Sequence, residues 1–464
     1  MTRSSFTFSV ALFVFGWALY LAILFPGFLS VDSVVQLLEA RSGEIGDWHS
    51  PFMTLLFGVV DQFFPGPVGM LILQITLLWG GLMLFWYAAL VPFAPRLGAV
   101  LLFLLMFYPP VLGINGAIWK DILMAGMLTV LSGALAGVYS GRLPQGPMIA
   151  LVLVTAFVAL LARVNAVFCL TPLLSLLAIC IIRPHRVVGF TGSICLGAGL
   201  ALSIALGSMS INGQIADRSE NPMLSVALFD VSGTIAYLPD GERRTRLHSK
   251  LPTPLTEGLT PQNLSESYSP RDWQSVFYGD QPGLNALNQS QDTHVPTDTF
   301  GALDPEQQSE ILASWRHAIT TEPKAYLSHR LAAFDWVLAF RKTLWQPVLF
   351  DPANYSEEMQ QIVPPISEQT SLQKELALLF NKLAYYPPYK PWLCLAAAMT
   401  LLVILLFKPA GHGLEIALLL AVPAHLFGLF LLAPTPDFRY SHIIFLFTGL
   451  AFSRAICILF KPRT

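Results

Sequence analysis

Residues 119–142 read WKDILMAGMLTVLSGALAGVYSGR: tryptophan, lysine and aspartate at one edge, an unbroken apolar run, then glycine and a lone arginine. A bilayer asks for about 20 consecutive apolar residues from a helix that crosses it. Charges and tryptophan collect where such a helix leaves the hydrocarbon. The stretch therefore predicts a membrane-spanning helix with its acid on one face and its base, Arg142, on the other.

Nine more apolar segments repeat the pattern, giving ten spans at 7–27, 67–91, 97–114, 121–140, 147–163, 166–182, 187–208, 390–407, 413–433 and 441–460. A chain that is 54% hydrophobic and only 12% charged, with mean hydropathy +0.59, is too apolar for a soluble fold. Its net charge of −2 argues against a nucleic-acid binder. The first run follows Arg3 and continues into Pro26-Gly27-Phe28-Leu29-Ser30 without a small-residue cleavage site, which reads as an uncleaved span. All five cysteines lie inside apolar runs, without metal or disulfide spacing.

Arg3, Arg96, Arg142, Arg183, Arg186, Lys408, Lys461 and Arg463 all fall at the termini or in alternate connections, while Glu415 lies just inside a span. The positive-inside rule then makes both termini cytoplasmic. The other face collects Asp32, Glu39, Glu44, Asp47, Asp61, Asp121 and Asp437, with only Arg41, Lys120, Arg163 and Arg439 as bases in its short loops. Residues 51–64 are apolar but too short to span, and read as a helix lying on that outer surface.

Three domains follow: an N-terminal membrane module (1–208), an extracytoplasmic segment (209–389) and a C-terminal membrane module (390–464). The first half of the middle segment is rich in Pro, Gly, Ser, Asn and Asp and reads as loops. Its second half predicts helices. Asp304-Pro305-Glu306-Gln307 is a capping box, Glu322-Pro323 opens a helix with Tyr326, Leu327, Arg330, Leu331, Phe334 and Leu338 on one face, and a third helix runs from Thr370 to Tyr386. Tyr385-Tyr386-Pro387-Pro388-Tyr389 then anchors the chain's return to the membrane. Sequons occur at Asn263, Asn288 and Asn354.

Several outer-face residues invite chemistry, each with a plainer alternative. Asp32, at a membrane edge among apolar neighbours, suits a general base with raised proton affinity, or an N-cap for the helix beginning at Val34. In Asp47-Trp48-His49-Ser50-Pro51, His49 would orient a carboxylate or phosphate, or is simply interfacial. Lys120 and Asp121 form a local ion pair, or meet a phosphate and order it or a metal. Arg163, in Arg163-Val164-Asn165, is a base against the charge bias, either paired or binding an anion. Pro436-Asp437-Phe438-Arg439-Tyr440 offers an Asp437–Arg439 pair, or a guanidinium for a phosphate. Together they describe a site for an anionic, lipid-borne substrate. A phosphate-binding glycine loop with lysine, His-Glu-x-x-His and Gly-x-Ser-x-Gly are all absent from the sequence.

This layout resembles the GT-C superfamily of membrane glycosyltransferases, which includes protein mannosyltransferases and lipid A aminoarabinose transferases. The matching features are Asp32 in the first outer loop, the surface helices after it, Asp121, the large late outer segment and the Pro-Asp-Phe-Arg-Tyr before the last span. Ser33 stands where mannosyltransferases carry the second acid of an Asp-Glu pair. The resemblance implies an all-α polytopic bundle in a cell membrane, in bacteria the inner membrane. It also implies a polyprenyl-phosphate sugar donor, a glycan, lipid or protein acceptor, and inverting transfer with or without a divalent cation. Asp32 and Asp121 would be the catalytic pair, with Asp47, His49, Lys120, Arg163, Asn165, Arg439 and Tyr440 binding substrate. A transporter would instead show similar halves and polar mid-span residues, and a non-catalytic polysaccharide-assembly subunit would need no converging acids and bases.

Overall fold

A computed structural model describes residues 3–182, 189–258, 260–271, 273, 303–340, 369–408 and 411–460. Arg183, Arg186, Lys461 and Arg463, the start of the 187–208 span, and the sequons at Asn288 and Asn354 lie outside the described residues. Among the described residues the chain is all-α, with isolated bridges at Phe28–Ala117 and Gly46–Arg218.

Seven helices are long and apolar enough to cross a membrane: Arg3–Leu24, Val68–Leu90, Lys120–Ser140, Gln145–Ala162, Thr191–Ile215, Gly413–Leu432 and Phe438–Leu459. The expected spans 97–114, 166–182 and 390–407 appear as the shorter apolar helices Pro95–Met106, Ala166–Ile182 and Pro391–Leu406. The first is cut short by Pro109 and Pro110. A residue before proline is driven out of the helical region, and Tyr108 is extended (φ −64, ψ 126). The helix of the 187–208 span continues to Ile215.

Lys120–Ser140 is the central helix: 83% of its most apolar window is buried, against 28% for Arg3–Leu24 and 22% for Thr191–Ile215, which are left to face lipid. It packs between Val68–Leu90 and Gln145–Ala162. Small residues permit that approach. A Cβ added to Gly133 would lie 2.8 Å from the Phe85 backbone nitrogen. Gly413–Leu432 packs on Ala166–Ile182 and His442–Leu459. Sequential helices joined by short turns run antiparallel, so the connections around residues 25–31, 117–120, 163–165 and 433–441 meet at one end of the bundle.

The first of these connections is held tightly. Phe28 exchanges backbone hydrogen bonds with Gly116 (2.8 Å) and Ile118 (3.0 Å). Helix Val31–Ser42 begins at Ser30, not at Asp32. Ser30 and Ser33 form a reciprocal capping box, and Ser33 Oγ also donates to the Ile118 carbonyl at 2.7 Å. The N-cap reading of Asp32 is thereby corrected: serine takes the cap and leaves the Asp32 carboxylate free to point elsewhere. Pro51–Phe63 is the expected short helix, capped by Ser50, with Leu55, Val59 and Phe63 exposed along it as an interfacial helix requires.

The 209–389 segment holds more helix than its composition predicts. Met223–Tyr237 is a helix buried along most of its length. Its Leu224, Leu228, Val231 and Ile235 form a second core with Leu247, Leu264 and Ile311. Polar flanks diluted this apolar run in the sequence average. Helix Pro305–Thr321 begins at the expected Asp304 capping box, and helix Ser371–Leu383 at Thr370, the expected start, which also forms a capping box. Pro323–Leu338 is also present, but its buried face is Ala325, His329, Arg330, Ala333, Val337 and Leu338, while Leu327 and Leu331 are exposed. The rotation follows from an ion-pair network that His329 and Arg330 make inward. Of the aromatic anchor, Tyr385 and Tyr386 are exposed, whereas Tyr389 is buried and donates to the Pro109 carbonyl at 3.0 Å.

Candidate functional site

Arg439 is the hub of the end at which the connections meet. Its Nη1 donates to Asp32 Oδ2 at 2.7 Å, its Nε lies 2.8 Å from Asp437 Oδ2, and Asp121 Oδ2 is 3.9 Å from the same Nε. The guanidinium lies over the Trp119 ring (4.7 Å to the centroid) and beside that of Tyr440 (5.3 Å). Arg163 donates from Nε to Asp121 Oδ1 at 2.8 Å and lies over Tyr440 at 4.5 Å. Aromatic faces favour a cation directly and fix where each fork of donors points.

Local structure explains why these side chains meet. Trp119 is pinned by its indole N–H to Ser30 Oγ at 2.7 Å, bringing the start of Lys120–Ser140 beside Asp32. Asp437 caps the short turn Phe438–Ser441, accepting from the Arg439 backbone at 3.2 Å. His425 Nε2 donates to the Tyr440 carbonyl at 2.7 Å from within the neighbouring helix. Ser50 and Asn212 both donate to the Leu161 carbonyl, at 2.7 and 2.9 Å, setting the helix end that Arg163 caps.

Lys120 makes no hydrogen bond or ion pair among the described residues, although the charges of Asp32, Asp121, Arg163 and Arg439 act on it. The expected Lys120–Asp121 pair is absent because Arg163 has taken the aspartate. Asp121 Oδ2 is buried and accepts no hydrogen bond. The site thus offers an ammonium and a carboxylate oxygen that both lack a hydrogen-bond partner among the described residues.

Asp32 contradicts one expectation. Burial works to raise its pKa, but Arg439, with help from Lys120, outweighs burial and holds the carboxyl well below the usual range. Apolar surroundings alone predict the opposite; the partner that reverses the sign lies at the far end of the chain. Asp437 behaves as a buried acid: burial pushes it up to about 6, with Asp121 and Asp32 adding repulsion and Arg439 opposing. His49 is buried and pushed down to about 3, by burial first and then by Lys120, so its imidazole is neutral. Its Nδ1 has no hydrogen-bond partner.

Asp47 is placed elsewhere. It accepts from Ser219 Oγ at 2.8 Å and from the Glu220 backbone at 2.5 Å, fastening the first loop to the polar segment. Asn165 opens the helix after Arg163 with Oδ1 buried and unbonded, and makes no hydrogen bond to the cluster. Among the described residues no three or more His, Cys, Asp or Glu side chains are grouped to hold a metal. The carboxylates Asp32, Asp121 and Asp437 face arginines instead. Composition missed Asp437 as a site member in its own right, together with Trp119 as a platform and His425 as a support.

Fold and geometry define a polytopic all-α membrane protein with a buried ionic site at one end of its bundle. No family model and no curated protein matches the chain. Among solved structures, ArnT from Cupriavidus metallidurans bound to undecaprenyl phosphate is similar over 98% of this chain and 79% of that one, at 12% identity and a TM-score of 0.34. At that level the likeness carries no chemistry across, and the site's own geometry has to supply it.

Proposed function

We propose that the protein is a membrane glycosyltransferase that moves a sugar from a polyprenyl-phosphate donor to an acceptor hydroxyl at the outer membrane face. The observation that carries this reading is the convergence of three carboxylates and three cations, from remote parts of the chain, on one rim of a hydrocarbon-spanning bundle. Charge placed there is costly unless it is used. A soluble anion needs no membrane rim; an anion tethered to a lipid chain arrives at one.

Lys120 and the spare donors of Arg163 and Arg439 hold the donor phosphate. To engage it fully, Arg439 gives up Asp32. Once released, Asp32 recovers proton affinity and takes the proton of the acceptor hydroxyl. The acceptor oxygen attacks the anomeric carbon, the bond from that carbon to the phosphate oxygen breaks with inversion, and polyprenyl phosphate leaves as an anion stabilised by the same three cations. Asp121 keeps Arg163 in place. The base is therefore held in reserve until the donor arrives. A divalent cation would have to compete with Arg439 and Arg163 for these carboxylates.

The test is transfer itself. Membranes containing the protein are given radiolabelled polyprenyl-phosphate sugars and an extract of cell-surface acceptors, and the products are resolved by thin-layer chromatography. Label moving into an acceptor with wild type but not with Asp32→Asn supports the reading, and no transfer from any lipid-linked sugar removes it.

A further inference from the structure

A second buried ionic network lies in the 209–389 segment, outside the site. Asp230 accepts from His329 Nε2 (2.8 Å), Trp315 Nε1 (2.7 Å) and Arg330 Nη2 (2.8 Å), with Arg330 Nε 2.7 Å away as an ion-pair contact. Asp230 and His329 are fully buried, and Arg330 is 1% exposed. An ionised carboxylate only accepts, so His329 carries its proton on Nε2, and its Nδ1 accepts from the Tyr268 hydroxyl at 2.6 Å. One guanidinium donor faces the other way: Arg330 Nη1 donates to the Ala433 carbonyl at 2.9 Å.

Ala433 ends helix Gly413–Leu432 and starts the strap Ala433-Pro434-Thr435-Pro436-Asp437-Phe438-Arg439. Two prolines lock two backbone torsions of that strap, and Phe438 is buried at its far end. A displacement at Ala433 is therefore passed along to Asp437 and Arg439 rather than absorbed. Phe229, Phe334, Leu429, Phe430 and Pro436 crowd around the contact, with Thr435 beside them. Apolar walls strengthen a charged hydrogen bond by lowering the local dielectric.

We propose that Arg330 is a positioning residue: it ties the Ala433 carbonyl to the Asp230 network, sets where the strap presents Asp437 and Arg439, and so couples the 209–389 segment to anion binding in the site. The identity of that anion rests on the proposed function; the mechanical coupling does not. The polar segment then acts as more than a cover. Anything that shifts helix Pro323–Leu338, an acceptor included, changes the grip on the donor.

The variant that tests this is Asp230→Asn/Arg330→Met. It removes both charges together, so no unpaired charge is left buried, and exchange of a buried ion pair for neutral groups is often tolerated. Tyr268→Phe is the control, cutting the network at its remote end. Two readouts are made on the purified full chain. The first is binding of polyprenyl phosphate, expected to weaken by roughly tenfold in the double variant and to stay unchanged in Tyr268→Phe. The second needs no ligand: the rate at which a maleimide labels Thr435→Cys, in a chain whose exposed Cys195 is serine, is expected to rise in the double variant alone. Arg330→Lys, too short to reach both Asp230 and Ala433, replaces the double variant if that does not fold. Unchanged binding and labelling, or equal changes in Tyr268→Phe, overturns the coupling. Wild type that fails to bind polyprenyl phosphate overturns the donor reading, while the labelling still decides Arg330.

Discussion

Arg439 reaches across 407 residues of sequence to donate a 2.7 Å hydrogen bond to Asp32. The pairing explains how a carboxylate proposed as a base is held fully ionised with low proton affinity in the free protein. It also makes the two residues competitors. Whatever anion Arg439 binds, it binds at the expense of Asp32. Asp32→Asn removes the competing charge and keeps an oxygen of similar shape. Polyprenyl phosphate is expected to bind this variant at least as tightly as wild type, by up to several-fold, even though transfer is lost. Calorimetric titration of the two proteins checks this, and clearly weaker binding by the asparagine variant contradicts the exchange.

Arg163 and Arg439 both stack on aromatic rings while pairing with carboxylates. Lysine keeps the charge and loses the planar fork. Losing one charged hydrogen bond of a pair corresponds to roughly a tenfold loss of affinity, so Arg163→Lys and Arg439→Lys are each expected to raise the apparent donor KM by about that factor. A purely structural pair needs only a positive charge beside the carboxylate, so lysine there would alter stability and leave the donor KM unchanged. Donor titrations at saturating acceptor separate the outcomes, and an unchanged KM in both variants counts against the phosphate clamp.

Asp437 makes its own contribution to the pH dependence of the site. With Asp32, Asp121 and Asp437 ionised against Lys120, Arg163 and Arg439, three negative charges offset three positive ones. Asp437 sits near 6. Below that pH it is neutral and the cluster carries one net positive charge; above it the cluster is neutral. The contribution of Asp437 to anion binding is therefore expected to fall as pH rises through about 6, and Asp437→Asn is expected to remove that contribution. For stability the sign runs the same way. A raised acid contributes most below its unfolded value and loses that contribution as pH climbs through about 6. The phosphate's own second ionisation, at about pH 6, acts on wild type and variant alike, so the ratio of dissociation constants for polyprenyl phosphate (Asp437→Asn over wild type) between pH 5 and 8 tests the first statement; a ratio that does not change with pH rules it out.

Orientation is a separate expectation. The bases Arg96, Arg142 and Lys408 lie in connections that alternate with those bearing the ionic site, so the site is expected outside and both termini in the cytoplasm. A reporter active only outside the cytoplasm, fused at Gly258, is expected to be active. Activity of a cytoplasmic reporter at that position would invert the assignment.

Membrane chemistry is why the site's face was legible from sequence. Hydrocarbon forces charges to the rims, so Asp32, Asp121, Arg163 and Arg439 could be assigned to one face before any contact was known. Their pairing was not legible. Asp121 and Arg163 are 42 residues apart and Asp32 and Arg439 are 407 apart. No local pattern distinguishes these partners from Lys120 beside Asp121 or Asp437 beside Arg439. Asp47 shows the cost: as an acid on the right face it read as a substrate contact, yet its carboxylate pairs with Ser219 and the Glu220 backbone. Asp32's apolar setting predicted raised proton affinity because the cation that reverses it came from the last loop. In the polar segment no bilayer sorts the residues, so the buried Asp230–His329–Arg330 network left only an apolar periodicity displaced from the face that is buried.

The most direct measurement is single-turnover transfer by the purified protein with a radiolabelled polyprenyl-phosphate sugar and its acceptor, comparing wild type with Asp32→Asn at matched donor occupancy. Label transfer by wild type and a loss of at least about 10²-fold in the variant, the scale of one general base, are expected, with donor still bound. Transfer by Asp32→Asn at a rate close to wild type would contradict the general-base role.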